Sequence, residues 1–200
     1  MKKIIFLFVC VSTFGCAQDK IALQGKTEFQ RELNAEYKDA SKSPLKDKDR
    51  KNFRGLDFFE VDSAYVVTAI LQRTPNSSWF GMKTTTKRLS RERIYGILSF
   101  VLKGETYKLN VYQGQDIIKK EGYEDYLFLP FIDQTNGDTS YGGGRYIDLR
   151  IPKGNTISID FNTAYNPYCA YNDTYSCPIV PRVNYVPIAI KAGVMAFGKH

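Results

Sequence analysis

Arg93-Ile-Tyr-Gly-Ile-Leu-Ser-Phe-Val-Leu-Lys-Gly-Glu-Thr-Tyr-Lys-Leu-Asn-Val-Tyr112 holds two strand-length runs, Arg93–Leu102 and Glu105–Tyr112, on either side of Lys103-Gly104. Two residues ending in glycine between β-rich runs are a hairpin signal. Outward from it, Tyr65–Arg73 forms another strand-like run that stops at Thr74-Pro75, and Tyr123–Asp133 carries the almost continuous apolar stretch Tyr-Leu-Phe-Leu-Pro-Phe-Ile. Such a stretch predicts a strand buried on both sides. Asn136-Gly137 turns it into Ser140–Ile151, and Pro152–Asn155 turns that run into Thr156–Asn162. Between Thr74 and Glu92 lies a polar loop with Trp79, Phe80 and a basic cluster. Trp79-Phe80 reads either as an exposed recognition tip or as a flap folded over a barrel mouth. Short strands joined by tight turns predict a mainly β, single-domain antiparallel barrel or sandwich with a short N-terminal helix. No glycine motif stands between a strand and a helix, which argues against a dinucleotide-binding α/β fold.

Strand parity sharpens the picture. In Gly144–Ile151 the residues Ile147, Leu149 and Ile151 share one face, Asp148 and Arg150 the other, and Arg145 falls with the apolar set. A guanidinium directed inward needs a partner. Asp133 and Asp160, each at the end of a neighbouring strand, are the candidates; the alternative is an edge arginine that snorkels to solvent.

The N-terminus has a different character. Met-Lys-Lys, the apolar run Ile4–Val11 and a small-residue exit have the layout of an export signal. The run is too short to span a bilayer, which takes about 20 residues. Gly15-Cys16 resembles a lipobox, which would make Cys16 the lipidated first residue; cleavage after Ala17 is the alternative. The chain then divides into a signal (1–16), a tether (17–26), an N-terminal helix with its linker (27–52) and a β domain (53–200). In the helix Phe29, Leu33 and Tyr37 form a narrow apolar stripe, and Thr27 with Gln30 is a capping-box candidate. Pro44 ends it. The partner this implies is a membrane, reached through the lipid anchor; the expected location is the cell envelope, most simply the periplasmic side of the outer membrane.

Charge and rare residues exclude several function classes. The net charge of +7 sits unevenly: residues 1–54 hold 12 Lys/Arg against 7 Asp/Glu, residues 55–93 hold 6 against 4, and residues 94–200 hold 10 against 10. The folded body therefore lacks the basic face of a nucleic-acid binder. The single histidine is the terminal His200, which leaves no imidazole for a nucleophile pair, a proton shuttle or a histidine-based metal site. No cofactor or metal is called for.

The richest polar segment is Asp160-Phe-Asn-Thr-Ala-Tyr-Asn-Pro-Tyr-Cys-Ala-Tyr-Asn-Asp-Thr-Tyr-Ser-Cys-Pro178. Polar groups with apolar bodies on a loop at a strand end suit a binding site. Arg145, Tyr141, Asn162, Tyr165 and Asn166 are the candidate ligand-binding residues, with Asp133 beside Arg145. The asparagines also fit turn geometry. Cys169 and Cys177, eight residues apart in an exported chain, are candidates for a disulfide. A reactive Cys169 thiol, inert buried thiols or a carboxylate-assisted metal site are the alternatives.

Phe53-Arg-Gly-Leu-Asp-Phe-Phe59, Tyr141-Gly-Gly-Gly-Arg-Tyr146, the motif Asp160–Tyr171, Ser176-Cys-Pro178 and Ala192-Gly193 resemble the bacterial and archaeal "domain of unknown function 1684" family from about Pro44 onward. Many Bacteroidota members of that family carry a lipoprotein signal, in keeping with Cys16. The resemblance implies no activity or catalytic residue. Three functions are therefore carried forward: a pocket for a small ligand formed by the 160–178 loop with Arg145 and Asp133, a hydrolase using Asp133 and Asp160 as a carboxylate pair, or a purely structural envelope lipoprotein.

Overall fold

A computed structural model describes residues 25–198. The signal, Cys16, most of the tether and His200 lie outside the described residues. Seven strands follow the chain: β1 (Val66–Arg73), β2 (Phe80–Lys83), β3 (Leu89–Leu102), β4 (Glu105–Gly114), β5 (Tyr126–Phe131), β6 (Arg145–Arg150) and β7 (Thr156–Asp160). They form one antiparallel sheet in the order β6-β5-β4-β3-β1-β7, with β2 paired to β3. Its outer strands β6 and β7 approach each other, so the sheet is a nearly closed barrel.

The Lys103-Gly104 turn takes positive φ at both residues, 51° and 85°, the twist that a two-residue hairpin requires. β3 and β4 pair from Leu102↔Glu105 to Glu92↔Gly114, with a bulge between Ile94 and Gly96. At Gly96 a Cβ would stand 2.6 Å from the Gln72 carbonyl oxygen of β1, so no other residue fits without moving the neighbouring strand.

The segment read as a polar loop differs from expectation. β3 begins at Leu89, and β2 pairs with its start through Phe80↔Glu92 to Lys83↔Leu89. The Phe80 ring packs edge-on against Tyr112 at 6.3 Å, and Trp79 lies under the Arg93 guanidinium at 4.9 Å. The polar residues missed as strand belong to a short hairpin in which Arg91 and Lys83 face solvent while Glu92 turns inward. β5 is also shorter than its apolar run, because Ile132 and Asp133 leave the sheet to pair with the 184–190 segment.

Inside the barrel, Leu98, Leu109, Val111, Leu127, Leu129, Phe131, Ile147, Ile159 and Phe161 are buried in one cluster. A second cluster joins Tyr37, Leu45, Phe53 and Leu56 to Tyr171 and Val194. It fixes α1 (Glu28–Lys38) on the outside of the barrel, with Tyr37 edge-on to Tyr171 at 4.9 Å. α1 starts with the expected capping box: Thr27 accepts from the Gln30 N–H, and the Gln30 side chain accepts from the Thr27 N–H. A short α2 (Asp47–Lys51) follows in the linker. No helix among the described residues is long and apolar enough to cross a membrane.

The buried face of α1 takes only Tyr37 fully from the apolar stripe. Gln30, Asn34 and Tyr37 are buried, while Phe29 and Leu33 are only half-buried. Asn34 earns that position by accepting the Leu56 N–H at 2.8 Å. Phe29 and Leu33 face elsewhere.

Candidate functional site

Parity places Arg145 on the barrel's inner face, and the structure encloses it completely, at 0% exposure. Its Nη2 donates to Asp133 Oδ2 at 2.6 Å and to the Ile190 carbonyl at 2.8 Å, and Nη1 donates to the Ala192 carbonyl. Asp133 Oδ1 accepts the N–H groups of Thr135 at 2.8 Å and Ile190 at 3.2 Å. Burial holds the Arg145 pKa below its usual value, against the opposing pull of Asp133. Every one of these bonds runs to the protein's own backbone or side chains. The pair fastens the 190–192 segment to the barrel; it lines no cleft, and the expected pocket at Arg145 and Asp133 is corrected accordingly. Gly144, just before it, has φ 91° and leaves no room for a Cβ, which would meet the Phe131 carbonyl oxygen at 2.7 Å.

Asp160 does not join Arg145. Its Oδ1 accepts the Asn162 N–H at 2.9 Å and the Asn162 Nδ2 at 2.8 Å, capping a 3-10 turn over Phe161–Thr163. Asn162 in turn bridges to the backbone of Asp62. Asp133 and Asp160 thus sit in separate networks: both oxygens of Asp133 are engaged by Arg145, Thr135 and Ile190, and Asp160 Oδ1 is engaged by Asn162. Asn166 is fully buried, with Nδ2 donating to the Met195 carbonyl at 2.8 Å. Among the five candidate ligand residues, Arg145, Asn162 and Asn166 hold the fold together.

Cys169 and Cys177 are free thiols, a correction to the expected disulfide. They are adjacent nonetheless. The Cys169 N–H donates to Cys177 Sγ at 3.2 Å, and the Tyr141 hydroxyl lies 3.7 Å from Cys169 Sγ. The Cys177 thiol supports a thiolate at Cys169, whose pKa falls to about 6 despite burial. The Cys177 pKa rises, because it keeps the proton that the two sulfurs share. Burial and the neighbouring Cys169 push Tyr141 up to about 12.

The open site lies a few residues away. A cleft of about 480 Å³ runs between α1, the outer face of β6 and the 165–178 segment. α1 contributes Phe29, Glu32, Leu33 and Glu36; β6 contributes Tyr146 and Asp148; the segment contributes Tyr165, Tyr168, Tyr175 and Cys177. Tyr123 completes the rim. The hydroxyls of Tyr126 and Tyr165 both donate to Asp148 Oδ1, at 2.7 and 2.6 Å, and the Tyr168 hydroxyl donates to Glu36 Oε1 at 2.8 Å. Burial, and then these carboxylates, raise the pKa values of Tyr126 and Tyr165. At Tyr168 burial again leads, followed by Glu36. The phenols therefore stay neutral donors. The 165–178 segment borders this cleft and does not simply cap a barrel end.

Of the five candidate ligand-binding residues only Tyr165 lines the cleft, with Cys177 of the thiol pair beside it, and sequence reasoning passed over Asp148, Tyr146, Glu32 and Glu36. A signal for Asp148 existed, since parity put it opposite the buried face of β6. Nothing in the sequence brought α1 to that face. Among the described residues no group of three or more His, Cys, Asp or Glu could hold a metal ion.

No curated protein matches the chain. A solution NMR structure of an uncharacterised protein from Haloarcula marismortui is similar, with 33% identity, 86% of this chain and 92% of that chain covered, and a TM-score of 0.68. The family model described as "Protein of unknown function (DUF1684)" matches residues 51–195. That match takes in the barrel, the buried Arg145–Asp133 pair and the tyrosine-rich segment, and the chain belongs to the DUF1684 family.

Proposed function

We propose that this protein is an envelope lipoprotein that binds a small ligand in the cleft between α1 and the 165–178 segment. One observation carries the reading: α1 gives its buried side to Gln30 and Asn34 and leaves apolar Phe29 and Leu33 lining an open, tyrosine-walled cleft. Half-buried apolar groups at an open cleft, beside hydroxyls fixed by carboxylates, are the composition of a small-molecule site. The location of the protein rests on its first residues, from Met-Lys-Lys through Gly15-Cys16, with Cys16 as the anchor. A carboxylate-pair hydrolase has no support in the geometry, because Asp133 is held by Arg145 while Asp160 caps the Phe161–Thr163 turn in a separate network.

The test is ligand-observed and protein-observed NMR of the full-length chain with choline, acetate, phenol and glucose at millimolar concentration. At least one probe is expected to contact the ring protons of Tyr165, Tyr168 or Tyr175 and to lose that contact in Leu33→Trp, which fills the cleft. Absence of any contact that Leu33→Trp abolishes overturns the reading.

A further inference from the structure

The chain carries a formal charge of +7, yet among the described residues its cleft is lined by three carboxylates, Glu32, Glu36 and Asp148, and by no lysine or arginine. Two guanidiniums reach its edge, and both already donate to the protein. Arg150 donates to Asp125 Oδ1 at 2.7 Å and to the Gly122 carbonyl at 2.6 Å, beside the Tyr123 ring at the rim. Arg88 donates to Ser176 Oγ at 3.0 Å and to its carbonyl at 2.7 Å.

Aromatic faces supply the rest of the wall. Tyr146 and Tyr165 meet nearly at right angles, 88° with centroids 5.9 Å apart, and Tyr168 meets Tyr175 at 69° and 5.2 Å. Two such corners present both ring faces and ring edges. The hydroxyls of Tyr165 and Tyr168 donate to Asp148 and Glu36, which fixes the rings and shifts electron density from the phenolic oxygen into them. An electron-rich ring face attracts a cation, and the same carboxylates attract it over a longer range. An anion meets repulsion from all three carboxylates.

We propose that the ligand of this cleft is an organic cation, a primary or quaternary ammonium compound whose charged head sits between the tyrosine corners and the carboxylates Asp148 and Glu36. This rests on the cleft being the binding site, as argued above.

Binding to the full-length chain is measured by calorimetry for two matched pairs: choline against dimethylbutanol, its uncharged carbon analogue, and butylammonium against butanol. At least one cation is expected to bind about tenfold more tightly than its neutral partner. That preference is expected to shrink in Asp148→Asn and in Glu32→Gln while binding of the alcohol is unchanged. Glu32 is exposed on α1, so its variant keeps the test usable should Asp148→Asn lower the melting temperature. Alcohols that equal both cations, and are displaced by Leu33→Trp, overturn the cationic class but leave the cleft as a binding site. A cation preference indifferent to both carboxylate variants also overturns it. No binding of any of the four compounds overturns the class, and the outcome with acetate, phenol and glucose then decides the cleft itself.

Discussion

Arg145 Nη2 stands 2.6 Å from Asp133 Oδ2, with both side chains wholly shielded from solvent. The two residues come from β6 and from just past the end of β5, and their remaining bonds reach Thr135 and the backbone of Ile190 and Ala192. An ion pair buried this completely is paired with the fold, not with a ligand. Removing one member strands the other in a low-dielectric interior.

Arg145→Met is therefore expected to destabilise the protein by about 3–5 kcal/mol. In a chain of this size that lowers the melting temperature by roughly 10 °C. Calorimetric unfolding checks it. A change within experimental error would show that the 190–192 segment is held by other contacts.

The thiol pair gives a reactivity prediction. With its pKa near 6, Cys169 is a thiolate at neutral pH and loses that form as the pH falls through 6. Alkylation by iodoacetamide should be about tenfold slower at pH 5 than on the alkaline plateau. Cys177, whose pKa is raised, should react far more slowly. Cys177→Ala removes the largest support of the Cys169 thiolate and should move the midpoint upward. Mass-resolved alkylation kinetics would expose a midpoint near that of an ordinary thiol in the parent chain.

Glu92 is buried at 6% exposure; Oε1 accepts from Ser90 at 2.7 Å, while Oε2 has no hydrogen-bond partner. Burial raises its pKa, with Ser90 and Arg88 pulling the other way. A carboxyl with a raised folded-state pKa favours folding in its protonated form. Its contribution is complete below the unfolded value of about 4.3 and is lost as pH rises through the folded-state value. Glu92→Gln keeps the acceptor and removes the charge, so it should stabilise the protein at pH 8 by about 1–2 kcal/mol. The gain should fade toward pH 4. A gain that is independent of pH would refute a titrating Glu92.

Asn184 is the fourth test. Its Nδ2 donates to the carbonyls of Pro130 at 2.6 Å and Asn110 at 2.8 Å, and its Oδ1 accepts the Asn110 N–H at 2.9 Å. Asn184→Ala leaves those backbone groups of β4 and β5 facing a void, at a loss of about 2–4 kcal/mol. Asn184→Asp offers acceptors alone and should rescue little. Denaturant titration of both variants separates this role from that of a simple turn residue, for which either substitution would be nearly neutral.

Much of the barrel was legible because its signals are local. The Lys103-Gly104 turn, the inward parity of Arg145 and the Thr27–Gln30 capping box each depend on residues within one turn or one strand. β2 was hard to read because its alternation, Phe80 and Met82 against Gly81 and Lys83, is only four residues long and sits among polar and basic neighbours. Arg145, Asn162 and Asn166 looked like binding groups because a polar side chain that satisfies distant backbone has the same composition as one that satisfies a ligand. The difference lies in Ile190, Ala192, Asp62 and Met195, which no spacing rule brings near.

By itself the sequence determined an antiparallel, mainly β domain and the parity that puts Arg145 on the apolar side of its strand. These follow from hydrogen-bond geometry along the chain, side-chain alternation and composition. Only the tertiary structure decided that the partner of Arg145 is Asp133 and not Asp160, that the pair is sealed by the C-terminal segment, and that the open cleft lies on the opposite face of β6. That face is completed by α1, more than a hundred residues earlier in the chain. Tyr37 docks the helix onto Tyr171, and this packing turns Phe29, Leu33 and Glu36 toward Tyr165 and Asp148. Long-range burial, absent from any local pattern, placed the site.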